Sequence, residues 1–319
     1  MGKAIIDLEQ GMGLWSRIAV WLGVVLCLCV WSQEARAAAY VLEGDAGRIN
    51  LYSGLVSARG QGFLPQGELD QDQARRVALR QALVEARQNL WSTLQGVRIQ
   101  QDLTLAELMQ ENSRIKDRVQ GLVHNARILD RISVRDEFLL VSIGLDLWGE
   151  FARLAIPEEV WFSGEGIQQD FRSGSSLPLL QRQLLQARAR AYTGLVLQAR
   201  GLDLKPALVC TVQDQEGNQV FGPSQVDPRK ALDLGMMRFV QRTGQELQAG
   251  SRVGPNPLRI RARQTGSEPG CNLVVDSSSA DLLRQVALQP GNFLQECRVV
   301  IELDPPPDQD LQEYRLLDR

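Results

Sequence analysis

His124 is the only histidine in the 319-residue chain, and it is the natural place to look for a group that exchanges protons near neutral pH. General base catalysis also needs a nucleophile or a bound water within hydrogen-bond reach, and the segment Gly121-Leu-Val-His-Asn-Ala-Arg127 supplies no serine or cysteine motif. A lone histidine between a short helix and a strand reads as structural. The chain contains no GxSxG, HExxH, P-loop or kinase motif. Gly60-Gln-Gly62-Phe-Leu-Pro65 begins like a dinucleotide fingerprint, but it lacks the third glycine, and Pro65 interrupts the helix start on which a pyrophosphate would sit, so the segment reads as a turn. Glu158-Glu159 and Glu302/Asp304 are the residue types of paired-carboxylate glycoside hydrolysis, but they fall in a linker and at a strand end, where solvated surface is the expectation. No catalytic, cofactor-binding or metal-binding residue is assigned, and the chain is expected to be a non-enzyme without a cofactor.

Charge and cysteine content narrow the partners. Formal charge is −3, from 35 Lys+Arg against 38 Asp+Glu, and removing residues 1–37 takes three of each. Neither a nucleic-acid nor an anionic-membrane footprint is supported by that balance. Arginine outnumbers lysine 31 to 4, which suits bidentate recognition of carboxylates, although compositional bias explains it more simply. Cysteines occur at 27, 29, 210, 271 and 297 without CxxC spacing, so neither zinc nor thiol-redox chemistry is indicated. The nearer mature pair, Cys271 and Cys297, is the candidate for a single disulfide.

The N-terminus carries the strongest targeting signal. Ile18 to Trp31 is an uncharged apolar run of 14 residues, preceded by Arg17 and followed by Ala35-Arg36-Ala37. A spanning helix needs about 20 residues, and the small-x-small ending is what signal peptidase reads. Residues 1–37 are therefore expected to be a signal peptide cleaved after Ala37 or Ala39, with no membrane span afterwards, and Met12 makes a more conventional start than Met1. Cys27 and Cys29 each follow leucine, so a lipidation signal is disfavoured. The expected location is the periplasm or cell envelope of a Gram-negative type of cell.

The body reads as α+β, in two domains that each place an antiparallel sheet against a long helix. Residues 38–155 form the first. Ile49 to Arg59 reads as a strand that Gly60-Gln-Gly62 breaks. A long helix capped by Asp70 or Asp72 follows, with Leu79, Ala82, Leu83, Ala86, Leu90 and Leu94 in one stripe and Val77, Val84 and Trp91 on a second side. Thr104 to Met109 and Arg114 to Val123 are short helices, and Ala126 to Val134 with Phe138 to Leu147 form a hairpin. Residues 156–304 form the second domain: a helix over 179–190, a hairpin across Asp214–Asn218, a helix from Asp227-Pro228 to about Gln248, a helix from Ser279 to Leu288 and three further strands. Tyr52–Gly60 and Tyr192–Gly201 match at seven positions, 140 residues apart, which suggests a diverged duplicate. Residues 305–319 are an extended tail.

The strand YSGLVSARGQG, the helix ARRVALRQALVEARQNLWSTLQGVRI, the stretch DRVQGLVHNARILD and the hairpin ending FLLVSIGLDLWG together resemble a family of small bacterial envelope lipoprotein-like domains that includes the N-terminal domain of the flagellar assembly protein T. The likeness spans roughly Ile49 to Leu147. YTGLVLQARGLDLKPAL and QDQEGNQVFGP are similar to a segment that accompanies this domain in longer exported proteins. The resemblance implies a non-enzymatic envelope role, linked to flagellar or outer-membrane assembly, with envelope proteins as partners. Without a lipobox cysteine it does not imply an outer-membrane anchor. Partner binding is expected at sheet edges or at an exposed aromatic cluster of Trp148, Trp161 and Phe162, with a homo-oligomer left open. The alternative is a periplasmic ligand-binding protein or enzyme with its site at the domain interface.

Overall fold

The computed structural model describes residues 38–39, 41–44, 46–65, 70–134, 138–157, 159–162, 179–241, 252–266 and 270–304. The expected signal segment, Glu158 and the tail lie outside the described residues. One compact unit begins at Ala38.

The chain opens with β1 (Ala38–Ala39), β2 (Val41–Gly44), β3 (Gly47–Asn50) and β4 (Leu55–Phe63). What reads in the sequence as one strand over Ile49–Arg59 is a hairpin, because Asn50 turns the chain. Its side-chain Oδ1 accepts from the N–H groups of Tyr52 and Ser53 at 3.0 and 2.9 Å, and its carbonyl accepts from Gly54 at 2.8 Å. Nor do Gly60 and Gly62 break the strand. β4 runs through both, and they lie on its buried face in line with Val56 and Ala58.

The reason is α1 (Gln71–Gln95), which lies on that face. Its buried residues are Ala74, Ala78, Ala82, Ala86, Leu90 and Leu94, a series at steps of four. Four residues turn about 40° beyond a full revolution, so the series winds slowly around the helix and follows a twisted sheet. A Cβ at Gly60 would sit 2.9 Å from the Ala86 Cα, and one at Gly62 would sit 2.7 Å from the Ala78 carbonyl carbon. Small residues on both partners bring the backbones together. Leu79 and Leu83, expected at the centre of the stripe, pack at its margin, and Val77 and Val84 are half exposed rather than buried.

After α1 come β5 (Arg98–Gln100), β6 (Leu103–Thr104), α2 (Leu105–Glu111) and α3 (Ser113–His124). Thr104 and Glu107 form a capping box on α2: Thr104 Oγ1 accepts from the Glu107 N–H, and Glu107 accepts from the Thr104 N–H at 2.7 Å. The backbone and hydroxyl of Thr104 hold the Glu107 carboxyl below its ordinary pKa. Then β7 (Arg127–Val134) and β8 (Phe138–Asp146) form the hairpin read from the sequence. The first sheet is antiparallel throughout, in the order β2-β3-β4-β8-β7.

The second half contains α4 (Glu150–Ala155), α5 (Glu159–Phe162), α6 (Leu179–Ala191), β9 (Gly194–Gln198), β10 (Val212–Gln213), β11 (Gln219–Phe221), α7 (Pro228–Leu234), β12 (Arg238–Gln241), β13 (Pro257–Arg261), β14 (Gln264–Thr265), β15 (Leu273–Val274), α8 (Ser277–Ala287) and β16 (Val299–Leu303). Its main sheet, β1-β12-β16-β9-β13, corrects the expectation of a second antiparallel sheet, because β12, β16, β9 and β13 are mutually parallel and only β1 is antiparallel. The cause lies in the strand sequences. Leu195 and Leu197 join Val299 and Ile301 in the main core, while Val196, Val240, Val253 and Val300 form a second cluster. Strands apolar on both faces belong to a sheet covered on both sides, which is the usual setting of parallel strands. A small sheet, β11-β10-β15-β14, and the pair β5-β6 complete the fold.

The helix expected from Asp227 to Gln248 is shorter. Asp227 caps α7 as read, accepting from Arg229 and Lys230, but Gly235 ends it at φ +79° and the chain continues as β12. The two YxGLV segments are used differently: β4 has antiparallel neighbours and β9 has parallel ones, and Gly54 takes φ +77° whereas Gly194 packs against Val253. Residues from both halves share the main hydrophobic core, and the backbones of Arg98 and Ile99 accept hydrogen bonds from Leu208 and Val209 at 3.0 and 2.9 Å.

Candidate functional site

Neither Trp148 nor Trp161, two of the three aromatic residues expected as a surface cluster, is an exposed platform. Trp161 is 7% exposed and belongs to the core. Trp148 is partly buried between Gly54 and Gly235, and a side chain on either glycine would collide with the indole. The Arg238 guanidinium lies 4.9 Å from the indole centroid. Phe162 closes α5, and its side chain lies outside the described residues. Trp148 therefore serves as a packing element where the two halves meet.

A second arginine, Arg252, neighbours Arg238. Arg252 donates to the carbonyls of Leu234 and Gly235, closing the C-terminus of α7, and to Cys297 at 2.5 Å. Burial lowers the pKa of both Arg252 and Arg238 to about 10; at Arg238 the positive charge of Arg252 adds to it. Both stay charged at neutral pH. Nothing in the sequence around either residue signals this arrangement, which depends on α7 stopping at Gly235.

The remaining sequence candidates separate in space. His124 is the exposed last residue of α3, where a basic side chain suits the helix C-terminus. Glu302, expected at the solvated surface, is fully buried on β16, with Arg259 Nη1 3.4 Å from its Oε1, while exposed Asp304 accepts from the Gly201 N–H at 2.5 Å. Cys271 and Cys297 are not bridged. All three described cysteines are buried free thiols, and Cys271 neighbours Cys210 instead. Among the described residues no group of three or more His, Cys, Asp or Glu is placed to hold a metal. No described helix is long and apolar enough to cross a membrane.

Two features of the described residues are candidates for binding. The first is β7, the terminal strand of the antiparallel sheet. Arg127, Ile128, Leu129, Asp130 and Arg131 are all exposed along it. The register with β8 shifts between Ile128 and Asp130, and regular pairing resumes from Asp130↔Ser142 to Val134↔Phe138. Beyond the bulge no described strand pairs with the outer side of β7, and such an edge is the template for an added strand. The second is a cavity of about 250 Å³ between the halves, walled by Leu42, Ile49, Leu51 and Val97 on one side and by Leu204 and Pro206 on the other, with Arg98, Asp203 and Lys205 also lining it.

The fold is thus α+β, with an antiparallel sheet that ends in β7 among the described strands, a largely parallel sheet, and a small cavity partly open to solvent. Residues 194–305 match a family model described as Treponema pallidum Tp0624, second domain. The match starts at the first residue of β9 and runs just past β16, so it covers all the parallel strands and the small sheet. A comparison with curated proteins finds no match.

Proposed function

We propose that this protein is an exported, non-catalytic module of the cell envelope, built of two α+β domains, that joins an assembly by pairing a strand of a protein partner with β7. The edge of β7 carries this reading: eight residues long, terminal in its sheet, exposed from Arg127 to Arg131, and bulged at one end so that regular pairing is confined to the stretch from Asp130. The sequence resemblance of Ile49 to Leu147 to envelope domains of the flagellar assembly T kind supports a partner among flagellar or outer-membrane assembly proteins. The test is site-specific photo-crosslinking in cells, with the crosslinker at Arg131 or Ser133 on β7 and, as a control, at Arg76 on the exposed side of α1. One discrete adduct from the β7 positions and none from Arg76 is expected. Equal labelling, or none, from both sites overturns the reading, and an adduct of twice the chain mass makes the partner a second copy.

Export is part of the same proposal. The compact unit begins at Ala38, directly after Ala35-Arg36-Ala37, and Ala38 and Ala39 pair with Gln241 and Val240 of β12. Cleavage after Ala37 keeps that strand, and cleavage after Ala39 removes it. N-terminal sequencing of the mature protein is expected to begin at Ala38. A mature protein that begins at Gly2 or Met12 overturns the export reading.

The cavity supports a second reading, a binder of a small ligand that is apolar along most of its length and charged at one end. Its 250 Å³ falls just below the roughly 300–1,000 Å³ usual for ligand pockets, which ranks this reading second.

A further inference from the structure

We propose that Cys210 and Cys271, free thiols in this structure, are joined by a disulfide when the chain folds in the presence of an oxidant, stapling the small sheet, while Cys297 remains a free thiol. The inference does not depend on the partner-binding reading. β10 and β15 run parallel with Val212 opposite Leu273 and Gln213 opposite Val274. Continuing that register upstream sets Thr211 opposite Asn272, whose side chains lie in hydrogen-bonding contact at 2.8 Å, and Cys210 opposite Cys271. The Leu273 N–H donates to the Thr211 carbonyl at 3.0 Å and Cys271 Sγ donates to the Val209 carbonyl at 3.1 Å, so the two segments stay aligned as far as the cysteines. Directly opposed residues on neighbouring strands have Cα atoms about 5 Å apart, inside the roughly 4.4–6.8 Å span of disulfides. The two thiols are also near enough to perturb each other electrostatically.

Cys297 is placed elsewhere. It precedes β16 at φ +55°, with Arg252, Asp227, Glu296 and Lys230 around it. Burial, against the opposing pull of Arg252, raises its thiol pKa to about 11, so it is a poor thiolate.

The small sheet gains most from a covalent link. β10, β14 and β15 are two residues each, so few ladder hydrogen bonds hold strands whose cysteines lie 61 positions apart in the chain (271 − 210). The chemistry is thiol–disulfide exchange with a small-molecule or protein disulfide as oxidant. One cysteine thiolate attacks the oxidant and releases one thiol, then the second displaces the other half of the oxidant from the mixed disulfide. The cysteine pair loses two electrons and two protons, and the oxidant leaves as two thiols. Cys210 and Cys271 are 1% and 0% exposed in the folded protein, and burial raises the Cys210 thiol far above its ordinary pKa, so the exchange belongs to folding, before the strands close.

The experiment refolds the full chain, with Cys27→Ser and Cys29→Ser in place, from denaturant in a mixture of reduced and oxidised glutathione. Free thiols are blocked with N-ethylmaleimide under denaturing conditions, and peptides are mapped without reduction. The expected result is one linked pair containing Cys210 and Cys271, a blocked Cys297, and the same pair when Cys297→Ser is added. The oxidised protein should melt about 5 °C or more above the same protein refolded in dithiothreitol. Three blocked cysteines after oxidative refolding, or any bridge that includes Cys297, overturns the proposal.

Discussion

Replacing Gly62 by valine should destabilise the protein by at least about 3 kcal/mol, measured by chemical denaturation with the wild type alongside. The space a side chain would occupy at this position is filled by the backbone of α1: its Cβ would lie 2.7 Å from the Ala78 carbonyl carbon and 2.9 Å from the Ala82 nitrogen. A crowded side chain can be relieved by a rotamer change, but crowded backbone yields only if the whole 25-residue helix moves off the sheet. That movement would open the packing of Ala78, Ala82, Ala86 and Leu90, each fully buried at 0% exposure. Gly60→Ala tests the same contact with the smallest side chain and should cost less than Gly62→Val. The control is Gly121→Ala, on α3, where an added Cβ meets nothing within 4 Å and where alanine should stabilise the helix slightly. If Gly62→Val unfolds at the wild-type denaturant concentration, β4 and α1 are not in the contact described.

The same pair of elements shows how far the sequence could be read. Glycine in a chain signals a turn by default, and Gly60-Gln-Gly62 was readable that way because nothing local says what lies above the strand. A signal was present, however. Alanines at 74, 78, 82 and 86, four apart on one helix, match two glycines two apart on one strand, the pattern of a close helix-on-strand contact. The β7–β8 hairpin was legible because alternation in FLLVSIGLDL is a local property, and so was the start of α7, where Asp227-Pro228 fixes cap and first turn. Its end was not, since Gly235 competes with an apolar pattern that continues into β12. GLVLQ and VVIEL, apolar on both faces, carried the sign of a parallel sheet, but strand direction depends on pairings across 100 residues. For the candidate site, β7 could be found as a strand, yet its place at the edge follows from β4 pairing with β8 on the side away from it. Trp148 and Trp161 read as surface aromatics for the same reason, because the glycines and core residues that enclose them come from distant segments.

Asp214→Ala should cost about 3 kcal/mol, the second of the two large effects expected here, since it leaves a partly buried guanidinium and two backbone donors without their acceptor. Asp214 is 3% exposed at the turn between β10 and β11. Its Oδ1 accepts from the Glu216 N–H at 3.0 Å and the Asn218 N–H at 2.7 Å, and its Oδ2 accepts from Asn218 Nδ2 at 3.0 Å and from Arg284 on α8. One carboxylate thus forms the hairpin turn and ties it to a helix 70 residues away. Burial alone would raise its pKa, but the Asn218 and Arg284 bonds outweigh that and hold the carboxyl below its ordinary value. The sign of the pH effect follows. With a folded pKa below the unfolded value of about 3.9, the unfolded chain binds the proton first as acid is added, so the stabilisation is complete above about pH 4 and is lost as pH falls through the folded pKa. Stability of the wild type and of Asp214→Asn, measured between pH 6 and pH 3, should therefore converge toward the acid end, the asparagine variant being weaker at pH 6 and losing less on acidification. A constant gap over the whole range would mean that the ionised carboxylate is not what holds the turn to α8.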